Sequence, residues 1–220
     1  KYLLISLALG SLFAAPALAH PGAHAVTAHF TAQIRERLLD PVPYIQRGIA
    51  WSNDGEYELA LRDFRRAEQL GDPLAVAFDL GVLHYRMGDF VAARRYFDAS
   101  LAHRPRHAAT LEYRARLRRD AGDTAGAVAD YRAFFALEPR PNPGHYSAAA
   151  GLLADLPEQG GAAALELLDE GMARLGVLPQ LQRQAIALEL RDQRVDAAIA
   201  RLRTLEGPLR GRPEWCVEMG

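Results

Sequence analysis

Apolar residues along this chain fall at helical intervals, and the helical pattern itself recurs. Leu165, Leu168, Met172 and Leu175 would share one helix face, as would Ile186, Leu190, Val195, Ile199 and Leu202. Such spacing predicts amphipathic helices that bury one side. Ala60, Ala93, Ala127, Ala164 and Ala198 each sit in the middle of a similar pattern, 33, 34, 37 and 34 residues apart. A period near 34 marks an array of helical repeats. No strand pattern is evident, so the expected class is all-α.

The first three units share more than the alanine. Gly55, Gly88 and Gly122 lie five residues before it, and Phe64, Phe97 and Tyr131 four residues after it. Asp72-Pro73, Pro105 and Pro139 close the units, and Gly48, Gly81 and Ala115 stand twelve residues before the alanines. Glycine ends a helix cheaply in the left-handed conformation, Asp89 and Asp123 can cap the next helix, and proline stops it. Small side chains let paired helices approach, so Gly48 and Gly81 are expected to face Ala60 and Ala93. The aromatics are expected to fill the space between units.

This register resembles the tetratricopeptide repeat, most fully over Ala77–Pro105. The resemblance implies a right-handed α-solenoid of stacked helix-turn-helix units. The expected organisation is a signal peptide over 1–19 and a linker with a short capping helix over 20–40. Repeats are expected at 41–73, 74–107, 108–140, 145–178 and 179–212, the last two degenerate. Around Ala164 the turn reads Pro157-Glu158-Gln159-Gly160-Gly161; around Ala198 there is no turn glycine, and Leu168 and Leu202 replace the aromatic. Pro213 follows Pro179 by 34 residues and Gly220 takes the small-residue place. Residues 213–220 therefore read as the start of a truncated sixth repeat, and the chain as a fragment.

The first residues change the picture of where the protein works. Tyr2–Ala19 is apolar, contains Gly10 and Pro16, and ends in Ala17-Leu18-Ala19. That layout predicts an exported, periplasmic or secreted bacterial protein with no membrane contact after cleavage. An uncleaved N-terminal anchor is the alternative. His20–His24 is expected to be irregular, and His29–Leu39 to form the capping helix through Phe30, Ile34, Leu38 and Leu39. The Arg140-Pro141-Asn142-Pro143-Gly144 stretch should be a longer loop. The formal net charge of −1 gives no basis for nucleic-acid binding. Lys1 is the only lysine, so basic contacts are made by arginine, whose planar fork suits carboxylates. Cys216 is the only cysteine, which leaves no internal disulfide and no cysteine zinc site.

No catalytic constellation and no cofactor motif is found, so the chain is read as a non-enzyme. His103 and His107 have metal-like spacing, but Pro105 between them breaks the helix that would align them. His84 is expected in the core or groove. Asp63, Asp98 and Asp130 are expected on outer faces as solvated pairs with arginines, each worth little. If cleavage follows Ala19, the terminal amine and ring of His20 could chelate copper with His24 or His29. This supplies the alternative function, a metal- or small-ligand-handling protein.

The main expectation is a scaffold whose first helices line a concave groove for a protein or peptide. The resemblance implies the groove positions Ile45, Ile49, Ser52 and Asn53; Phe78, Val82, Tyr85 and Arg86; Glu112, Tyr113, Arg116, Arg119 and Asp120; and Arg183, Ala187 and Arg191. Tyrosine and arginine are frequent interface anchors, and these arginines could hold an acidic segment or a C-terminal carboxylate. The chaperone-binding subset of the family uses lysines and asparagines there. This chain has no lysine and only Asn53, so that specialisation is not implied.

Overall fold

The computed structural model describes residues 21–157 and 160–205, and every described element is helical. The expected signal peptide, His20, residues 158–159 of the fourth turn, Cys216 and the sixth-repeat start lie outside these residues. The chain divides into two compact units, with the boundary in the sequence between Val76 and Ala77.

The first unit contains α1 (Pro21–Glu36), α2 (Pro41–Asn53), α3 (Tyr57–Leu70) and a 3-10 turn over Pro73–Val76. α2 and α3 form a hairpin, and α1 packs against α2. Two expectations are corrected. Residues Pro21–His24 are helical rather than irregular, because Pro21 opens α1, where a missing N–H costs nothing. The helix also stops at Glu36, so only Ile34 of the expected capping stripe is buried. Leu38 and Leu39 are exposed on the connection to α2, where Asp40 caps the Val42 N–H.

The second unit is four further hairpins. They pair α4 (Ala77–Arg86) with α5 (Phe90–His103) and α6 (Ala108–Asp120) with α7 (Thr124–Leu137). α8 (Pro143–Ala154) pairs with α9 (Gly160–Leu175), and α10 (Pro179–Arg191) with α11 (Val195–Thr204). α8 begins at Pro143, inside the stretch expected to be loop, because Asn142 caps it through the Gly144 N–H. Asp89 and Asp123 cap α5 and α7 by accepting from the N–H groups of Ala92 and Gly126.

The first, second, third and fifth hairpin turns each contain one left-handed residue. Gly55, Gly88 and Gly122 supply it with φ of +82°, +78° and +78°. The fifth hairpin lacks the glycine but not the turn: Gln193, also five residues before its alanine, has φ +58°. A side chain there costs about 1–2 kcal/mol. Gln193→Gly is therefore expected to stabilise the α10–α11 hairpin by about 0.5–1 kcal/mol after glycine's greater entropy loss on folding is deducted. Gly88→Ala, at a site with open space around it, should cost about 1–2 kcal/mol. Thermal melts followed by circular dichroism would check both signs.

The atoms nearest the small first-helix glycines are those of the aromatic rings. A Cβ on Gly48 would sit 2.7 Å from the Phe64 ring, and one on Gly81 would sit 2.5 Å from the Phe97 ring. The glycine is the hole and the aromatic of the same hairpin the knob. The fourth hairpin reverses the roles: Gly171 on α9 receives Tyr146 from α8. Tyr146 in turn stacks on Phe135 at 4.0 Å and 6°, and its hydroxyl accepts from Arg174.

The aspartates expected to be solvated are largely buried. Arg47 on α2 donates two bonds of 2.7 Å to Asp63 on α3. Arg114 on α6 does the same to Asp130 on α7, at 2.8 and 2.7 Å, and also reaches Asp98 on the preceding α5. Asp63 and Asp130 are each 4% exposed; only Asp98 is at the surface. In both hairpins the arginine stands thirteen residues before the alanine and the aspartate three after it. Arg201 holds that aspartate's place in the fifth hairpin, with the charge reversed. It donates to Glu189 on α10 and, through both Nη atoms, to Asp169 on the preceding α9. Asp98 and Asp169 both lie five residues after their alanines. Equivalent trios of helices are thus tied, α5, α6 and α7 around Arg114 and α9, α10 and α11 around Arg201. Hydrogen bonding to these carboxylates raises the pKa of both arginines.

Candidate functional site

In the second unit, α4, α6 and α8 bring their residues to one surface. Phe78, Val82 and Tyr85 share a face of α4 at helical spacing, and Tyr113, Arg116 and Asp120 share a face of α6. The rings of Phe78 and Tyr113 meet edge-on, with centroids 5.7 Å apart, and those of Tyr113 and Tyr85 at 6.2 Å. Tyr85 then stacks on Phe90 at 5.8 Å. Phe78 and Tyr113 also back onto buried Phe97, so they are half core and half surface.

Beside this aromatic row lies an open cavity of about 370 Å³. Tyr85, Arg116, Arg119, Asn142 and His145 line it, with buried Tyr131 as its floor. A second cavity of about 390 Å³ adjoins it, sharing Asn142 and His145 and adding Glu112, Phe134 and Arg140. The α8 N-cap puts Asn142 here, and His145 follows on its first turn, held edge-on by Phe134 at 5.1 Å.

The charges of this site are matched within the chain. Arg116 pairs with Glu112 one turn earlier and lies over the Tyr113 ring at 5.2 Å. His145 Nε2 is 3.0 Å from the same Glu112 carboxylate and 3.4 Å from Arg116. The bond from His145 lowers the Glu112 pKa; burial opposes this and Arg116 assists it. Arg119 donates through Nε and Nη2 to Asp120, which also accepts the Tyr85 hydroxyl. Burial raises Asp120, but the bonds from Arg119 and Tyr85 outweigh it and hold the carboxyl below its usual range. Burial, with Asp120 reinforcing it, pushes Tyr85 up to about 12, so the phenol stays protonated.

Of the expected groove residues, Phe78, Tyr85, Glu112, Tyr113, Arg116 and Arg119 come together here. Arg86, Arg183 and Arg191 are exposed but do not line the cavity. Arg191 instead donates to the Ala154 carbonyl and pairs with Asp192. Arg116 and Arg119, expected to be able to hold an acidic segment or a C-terminal carboxylate, each pair here with a carboxylate of the chain itself. Sequence reasoning missed Asn142 and His145. The signal was Asn142-Pro143, a capping residue before a helix-opening proline. Of the other histidines, His29 touches Gln33 and Phe30 within α1, and His107 lies 2.6 Å from the Thr110 hydroxyl. His84 is largely buried and stacks on Tyr96.

Asp79, on the first turn of α4, lies apart from this pairing. Burial pushes its carboxyl up to about 6, against a smaller opposing pull from Arg104. A carboxyl of raised folded pKa binds its proton more tightly than the unfolded chain does. Its contribution to stability is therefore full below about pH 4 and is lost as pH rises through about 6. Asp79→Asn should remove that decline and leave the protein about 1–3 kcal/mol more stable than the parent at pH 7. Urea unfolding at pH 4 and pH 7 tests this.

No family model matches the chain, and no curated protein matches it. Solved structures do. PilW, described as a widely conserved type IV pilus biogenesis factor, superposes with a TM-score of 0.67 at 16% identity, over 90% of this chain and 91% of its own. The C-terminal part of a TPR repeat-containing protein from Cytophaga hutchinsonii also gives 0.67, at 12% identity, over 86% and 74%. Yeast Tom70 gives 0.60 at 18% identity, over 88% of this chain but 41% of its own, so this chain spans about two fifths of Tom70. The register of alanines, turn glycines and ring-filled holes, together with these superpositions, shows that the chain has the fold of tetratricopeptide-repeat proteins.

Proposed function

We propose that the chain is a non-catalytic interaction scaffold of the bacterial cell envelope, which receives an extended protein segment along α4, α6 and α8. One observation carries this reading: partly exposed Phe78, Tyr85 and Tyr113 stand beside Arg116 and Arg119 around an open cavity. Aromatic and arginine side chains concentrate binding energy at interfaces, and the open cavity leaves a bound segment in reach of both. The apolar start of the chain and the likeness to a pilus biogenesis factor support the envelope as its place of work. Arg183 and Arg191 on α10 would extend the contact.

Affinity capture from an envelope extract should recover a defined partner. Tyr85→Ala and Arg116→Glu are each expected to weaken its capture about tenfold or more. A partner retained equally by both variants would place the interface elsewhere.

A further inference from the structure

The pairing of charges in the groove decides what kind of segment suits it. A carboxylate that reached the remaining donors of Arg116 or Arg119 would lie beside Glu112 or Asp120. Two like charges sharing a site oppose one another, a cost that a neutral carbonyl does not meet. The groove therefore disfavours an acidic segment despite its arginines. A basic segment gains little either, because Glu112 and Asp120 are already neutralised. The partner best matched to this surface is uncharged.

The aromatic row narrows the choice. Phe78 and Tyr113 cross at 78°, and Tyr113 and Tyr85 at 86°. Rings set edge to face make a corrugated surface rather than a flat one. Phe90 stacks on Tyr85 and lengthens the aromatic surface beyond it. Grooves walled by aromatics accept proline-rich segments in the polyproline II conformation, which arrives preformed and loses little entropy on binding. Such a segment lacks N–H groups at its prolines but presents carbonyl oxygens. Arg116 and Arg119 can serve these without releasing their carboxylates, since a guanidinium carries five donors.

Building on the scaffold reading, we infer that the groove of α4, α6 and α8 binds an uncharged, proline-rich segment. Its rings lie on Phe78, Tyr113, Tyr85 and Phe90, and its carbonyls accept from Arg116 and Arg119. The full chain is titrated into a fluorescent oligoproline peptide, with oligoglutamate and glycine–serine peptides of equal length as competitors. Oligoproline is expected to bind with little dependence on salt. Neither competitor should displace it. Tyr113→Ala and the more exposed Phe90→Ser should each weaken binding about tenfold, with unchanged helicity.

Displacement by oligoglutamate, or equal competition by the glycine–serine peptide, overturns the assignment on the parent protein alone. So does an absence of oligoproline binding, and so does binding that both variants preserve. If oligoproline fails while the captured envelope partner still depends on Tyr85 and Arg116, the scaffold reading survives and the proline assignment falls. If that partner is insensitive to both residues, the groove reading falls as well.

Discussion

Asp130→Ala is expected to cost about 3–5 kcal/mol, more than any surface change in the chain, because it strips two arginines of a buried partner. Asp130 takes two bonds from Arg114 and an ion pair at 2.9 Å from Arg118. Arg114 would keep only Asp98, which is partly solvated. The large figure reflects the stranded cations rather than the worth of the pair, since a well-packed apolar replacement of both partners can be neutral. The chain contains an uncharged pair at the equivalent places. In the second hairpin Leu80 and Tyr96 hold the places of Arg114 and Asp130. Adding Arg114→Leu to Asp130→Ala should therefore recover a substantial part of the loss. Guanidinium unfolding reads the total, and amide exchange in α6 and α7 localises it, as a repeat array can open in part. A single-variant loss below about 1 kcal/mol would show that Arg114 and Arg118 find adequate partners or water without Asp130.

Gly81→Val should be nearly as damaging, at about 3 kcal/mol. The first added carbon alone would stand 2.5 Å from two carbons of the Phe97 ring, and overpacked cores lose about 1–3 kcal/mol, occasionally more. Phe97 cannot turn aside easily, since it is fully buried. Gly81→Ala should be milder, because the third hairpin carries Ala115 at the same place opposite Tyr131. Trimming the ring should rescue the valine: Gly81→Val with Phe97→Leu is expected to be more stable than Gly81→Val alone. If the double variant is worse, the steric account is wrong.

What the sequence disclosed was mostly local. The turn glycines were legible because a positive φ is a property of one residue, and the caps at Asp89 and Asp123 because the bond closes within three positions. The aromatic place was legible too, but its partner was not. Sequence spacing put Phe64 and Phe97 four residues after the alanines without saying that they enter Gly48 and Gly81, which depends on how the two helices are rotated. Gln193 escaped notice because the turn overrides the residue's own preference. Asp63 and Asp130 were misplaced for a related reason: a charged residue on a second helix normally faces water, and only the arginine thirteen places before the alanine explains its burial. In the groove, Tyr85, Tyr113, Arg116 and Arg119 were found by register. Their engagement with Asp120 and Glu112 was not, because pairing is set by side-chain direction.

The ring and the glycine that receives it belong to the same hairpin, whichever helix carries which. The ties around Arg114 and Arg201 instead reach across a junction, to Asp98 and Asp169. Gene duplication or deletion of one whole hairpin would thus carry Phe64, Phe97 or Tyr146 together with its own socket. What such an event would damage is the seam, where an arginine meets a neighbour that did not descend with it. Lineages that lengthen or shorten this array should accordingly keep their sockets and rewrite their seams.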